Sequence, residues 1–145
     1  MSYRTWISDL ALKVGDLSKA TFAPADEAKF KQWLVDYIAT HDISVQGWDR
    51  DEICPMFEWD FTYSPDGQLT GVSVHFPWDD NYVPHFFLTE LAGTSRFFRE
   101  RGVRFKLVFN KAGEDDDDRW QITTTHGGVW VAQGKIVYGK RERVA

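Results

Sequence analysis

Disulfides cannot organise this chain, because it holds a single cysteine, Cys54, in 145 residues. A small domain secreted into an oxidising compartment typically carries an even set of paired thiols, so the lone thiol points to a reducing, cytoplasmic setting. No run of about 18 apolar residues occurs, which removes the expectation of a membrane-spanning helix, and the first nine residues lack the basic-then-apolar order of a secretory signal. Catalytic and cofactor signatures are missing as well. There is no paired-cysteine zinc site, no glycine-rich phosphate loop, no nucleophile elbow and no zincin helix, so no cofactor is expected. Positive charge is in short supply, with 17 Lys and Arg against 22 Asp and Glu. The resulting formal charge of -5 argues against general binding to nucleic acid or to an anionic membrane, both of which need clustered cations, and favours a protein partner with a basic surface.

Rings are what the chain has in excess: 16% of its residues are aromatic, including seven Trp and eleven Phe. Each large ring buries on the order of 150 to 250 Å², so a handful fill much of a small core. At this length one core is the economical solution, and no linker or repeat divides the chain, so 1–145 reads as a single domain.

Tyr3, Trp6, Ile7, Leu10 and Val14 share the spacing of one helical face behind Ser2 as a cap, which predicts a first helix ending near Gly15. Pro24 opens a second, with Asp26 and Glu27 at its positive end and Phe30, Trp33, Leu34, Tyr37 and Ile38 as its apolar stripe. From 57 to 63 rings alternate with polar residues, which predicts a half-buried strand. Ser64, Pro65, Asp66 and Gly67 carry turn chemistry, and the strand returning to Phe76 changes apolar parity beside Gly71, where a bulge would absorb one residue. A third helix is expected from Pro84 toward Arg101, with Gly93 a point of division and Gly102 a left-handed stop. Strands are expected at 105–109, 120–124 and 129–138, the last bent at Gly134, followed by a frayed basic tail from Lys140. The order predicts an α+β fold: an antiparallel sheet of about five strands with two or three helices packed on one face.

Candidate functional residues fall into four groups. Trp48 and Trp78 lie in expected loops, and Trp130 points away from Val129 and Val131, so these three rings are the candidates for exposed contact, whereas Trp59 and Trp120 follow the buried parity. The acid run 114–118 (Glu114, Asp115, Asp116, Asp117 and Asp118) lacks a calcium-loop pattern and reads as a solvated loop able to steer a basic partner. His75 and His85, with Asp79 or Asp80, are the residue types of a two-histidine, one-carboxylate metal site, although caps and turns use the same residues. Arg96, Arg99, Arg101, Arg104 and Lys106 form the only concentration of positive charge besides the tail, better explained by a helix C-terminus than by phosphate binding. Glu58 and Asp60 read as the exposed face of their strand, and Cys54 as a buried structural thiol. Together these favour a non-enzymatic binding protein of the inhibitor, immunity or accessory kind. A metal-assisted hydrolase and an aromatic pocket for a small ligand are the alternatives, and a homodimer through an edge strand is open.

Overall fold

The ring-polar alternation after Met56 forms the strand that its period of two demands, and the sequence around it folds into a layered α+β structure. A computed structural model describes residues 5–77, 83–114, 118–134 and 138–143, with residues 134 and 138–143 described by their backbone. The elements run β1 (Thr5–Val14), α1 (Pro24–His41), β2 (Glu58–Tyr63), β3 (Leu69–His75), α2 (Phe87–Glu100), β4 (Phe105–Gly113), β5 (Arg119–Thr125), β6 (Gly128–Gly134) and β7 (Tyr138–Arg143). Two single-turn 3-10 helices, Ile43–Val45 and Arg50–Glu52, lie between α1 and β2. One antiparallel sheet has the order β1-β4-β5-β6-β7, leaving β1 and β7 as its edges, and a second consists of β2 and β3.

Helix α1 begins with Pro24 in its first turn, where the Ala23 amide donates to the Asp26 carboxylate at 2.8 Å, and buries Phe30, Leu34 and Ile38. Helix α2 starts three residues later than Pro84 suggested and runs unbroken through Gly93, which faces Leu34 and Tyr37 of α1. It packs against α1 and lies across β5 and β6. Its Phe98 is the hub of the core, in ring contact with Phe22, Phe30, Trp59, Phe61 and Phe105. The β2–β3 hairpin covers the same side of the large sheet, joining it through Phe57 on Phe109 (5.4 Å) and Trp59 on Phe105 (5.8 Å). Trp33, Trp59 and Trp120 pack on the core edge. Thr70 is the extra residue of a bulge beside Gly71, and Gly102 leaves α2 at φ 70°.

Three expectations need correction. The first expected helix is strand β1. Ile7 pairs with Lys111, and Leu12 with Leu107, but a bulge between Ser8 and Ala11 inserts one residue, with Asp9 at φ 57°. Ile7, Leu10 and Leu12 therefore all reach the core although 7 and 10 are three apart, a spacing that imitates a helix. The expected last strand is two strands, and the tail assigned to fraying forms β7, paired with β6. The fold thus has two α-helices and seven strands among the described residues, in sheets of five and two. No helix of the described residues is long and apolar enough to cross a membrane.

Candidate binding surface

The 42–57 segment connects α1 to β2 and is built inward at some positions and outward at others. Val45 (2% exposed) and Ile53 (3%) insert into the core, and Met56 and Phe57 follow them. Side chains before and between those anchors turn outward, leaving Ile43 85% and Trp48 41% exposed, the two large apolar residues so exposed among the described residues. The same segment carries the exposed Asp49, Asp51 and Glu52, with Asp42 half-buried at its start. Arg50, the only cation between 42 and 57, is paired at 3.1 Å with Asp36.

Local hydrogen bonds hold this shape. Asp42 accepts from the Ser44 amide at 2.9 Å and from Thr89 Oγ1 at 2.7 Å, and Glu52 accepts from the Asp49 amide at 2.9 Å. Partial burial opposes ionisation of Asp42, but bonds from Ser44 and Thr89 and the attraction of His85 outweigh it and hold the carboxyl below its ordinary value. At the far end the Met56 and Phe57 amides donate to the two carboxylate oxygens of Glu90, at 2.7 and 3.0 Å. Glu90 is 1% exposed on α2, and burial pushes its carboxyl up to about 8 against the opposing pull of the two amides. Cys54, expected to be buried, is exposed in the same segment.

The other expected site residues are dispersed. Trp78 and Asp79, and likewise Asp115, Asp116 and Asp117, lie outside the described residues. Trp130 points away from the buried Val129 and Val131, as its parity demanded, yet it is half-buried on the opposite sheet face, paired with Thr123. Glu114 is exposed. Asp118 instead works within the fold: it accepts from Trp120 Nε1 at 2.9 Å and lies 3.6 Å from Lys111 Nζ, helping to close the β4–β5 connection. His75 is exposed beside Glu58 (2.9 Å) and Asp60 (3.6 Å), on the polar face of the hairpin, and His85 is exposed ahead of α2. Among the described residues, no group of three or more His, Cys, Asp or Glu is placed to hold a metal ion.

Two features escaped the sequence. Trp33, Tyr37 and His41 stack as a ladder on α1, with ring centroids 5.0 and 4.1 Å apart. They border adjoining depressions of about 270 and 330 Å³ that share Tyr37, Arg96 and Glu100. Trp33 and Tyr37 belong to the apolar stripe expected of α1, whereas His41 lies beyond it. Ile43 had no signal beyond being an apolar residue flanked by Asp42 and Ser44. No protein-family model matches the chain, and neither a curated protein nor a solved structure shows a significant match to it.

Proposed function

We propose that this chain is a small non-enzymatic binding protein, of the inhibitor, immunity or accessory kind, that engages a protein partner with a basic surface through the 42–57 segment. One observation carries the reading: Ile43 and Trp48 stand exposed on a segment with four carboxylates and one cation, itself already paired. Apolar anchors ringed by charge are the anatomy of a contact patch, where the anchors supply binding energy and the rim supplies specificity and encounter rate. The net charge of -5 acts in the same direction at longer range. Trp78 and the acid run 114–118 extend the same aromatic and acidic chemistry along the chain, with Asp118 now assigned to the fold.

The test is an affinity capture from lysate of the source cells at low and then moderate salt, using the wild type, Ile43→Ala with Trp48→Ala, and Asp49→Asn with Asp51→Asn. A stoichiometric basic protein held by the wild type should be lost with the first variant, at a cost of about 2 kcal/mol or more in affinity. The second variant should slow association and flatten its salt dependence. A partner retained equally by all three proteins defeats the reading.

The ladder beside Arg96 supports a second reading, a pocket for a small planar ligand. It predicts saturable quenching of tryptophan fluorescence by a nucleotide or sugar, abolished by Trp33→Phe. Quenching that survives this change places the ligand elsewhere.

A further inference from the structure

The 42–57 segment is tied to the body of the fold at both ends by consecutive residues of α2. At its start Asp42 accepts from Thr89 Oγ1 at 2.7 Å. At its end the amides of Met56 and Phe57 donate to Glu90, at 2.7 and 3.0 Å. Those two amides precede the first ladder pair of β2, which joins Glu58 to His75, so the sheet gives them no acceptor. Buried amides need one, and a single carboxylate serves both. Yet Glu90 has no cationic partner among the described residues, and a lone buried carboxylate is costly to ionise.

We propose that Thr89 and Glu90 form a two-point clamp that sets the shape of the 42–57 segment, and that release at the Glu90 end opens this segment while the rest of the fold stays intact. The inference deepens the binding function proposed above and rests on that reading for its consequence: the clamp determines how Ile43 and Trp48 are presented. The clamp itself is independent of any partner.

A proton governs the release. Burial and the two amides are the influences acting on the Glu90 carboxyl; His85 ahead of α2, Asp42 and Glu58 beside the segment, and Lys111 of β4 contribute none. In the opened segment the carboxyl meets water and ionises near its ordinary value of 4.5, whereas in the closed one it keeps its proton up to about 8. Between those values the closed form binds more protons than the open form, so raising the pH favours opening; above about 8 both are ionised and the dependence ends.

Hydrogen exchange read by mass spectrometry across the 4.5 to 8 window, corrected for intrinsic rates, tests the clamp on the wild-type protein. The amides of Ile53, Cys54, Met56 and Phe57 should show protection about tenfold or more below that of β4 to β6, falling further as the pH rises. In Glu90→Gln, which keeps an acceptor oxygen but cannot ionise, protection of 53–57 should not vary with pH. Protection of 53–57 that coincides with β4 to β6 at every pH overturns the proposal, as does a variant that keeps the wild-type pH profile. Should that variant fail to fold, the wild-type series decides alone. A clamp confirmed by exchange beside a partner indifferent to Ile43→Ala and Trp48→Ala would sink the contact reading and leave the clamp standing.

Discussion

Gly93 shows how one missing methyl sets a helix crossing. A Cβ built there would lie 2.9 Å from both Leu34 Cδ1 and Tyr37 Cδ1 of α1, inside normal van der Waals contact. In an isolated helix alanine is better than glycine by about 1 kcal/mol, so propensity alone predicts that Gly93→Ala stabilises. Because Leu34 is 2% exposed and has little room to yield, overpacking should win, and Gly93→Ala should lower stability by about 1 to 2 kcal/mol in a urea titration. A higher midpoint would show that the helices slide apart freely. At the same scale, Trp48 was legible as a loop ring, whereas Glu90 was not. An acid within a helix carries no local sign of burial, and only the fold shows two amides waiting for it.

At the scale of the element, β1 is where the sequence misleads. A helical stripe through Tyr3, Trp6, Ile7, Leu10 and Val14 leaves Leu12 off the apolar face, but the strand places Leu12 opposite Leu107 and against the core. Leu12→Ala should therefore cost about 1 to 2 kcal/mol, below the range for a fully buried leucine because Leu12 is half-buried. Lys13→Ala, exposed on the other face, should stay within about 0.5 kcal/mol. Equal effects in denaturant titrations would contradict the register. The helices and the β2–β3 hairpin were readable because each carries its own punctuation: Pro24 and Gly102 for the helices, the 64–67 turn for the hairpin. The bulge in β1 has no such mark, since Asp9 rather than glycine adopts the left-handed conformation, held by a bond from Asn110 at 2.9 Å.

For the whole molecule, two carboxyls bend the pH dependence of stability in opposite senses. Glu90 is raised to about 8 when folded, so its share of stability is complete below about 4.5 and is lost as the pH climbs to 8. Asp42 is lowered, so its share is present above the ordinary carboxylate range and is lost as the pH falls through its folded value. The thermal midpoint should peak in mild acid, decline toward about pH 8 and then level off, and Glu90→Gln should flatten the decline. A wild-type midpoint rising steadily from about 4.5 to 8 would contradict the burial of Glu90 in the folded state.

The sequence by itself determined the α+β class, the antiparallel pairing, helix α1, the hairpin with its bulge and the net negative charge. All of these rest on periodicity, turn chemistry and charge, which are local and additive. Only the tertiary structure decided that the first segment is a strand, that the tail pairs as β7, and that Ile43 and Trp48 come forward on a segment clamped by α2. β7 pairs with its chain neighbour β6, but the other two outcomes depend on partners far along the chain: Asn110 and Leu107 for β1, Thr89 and Glu90 for the segment. No window of neighbouring residues contains them.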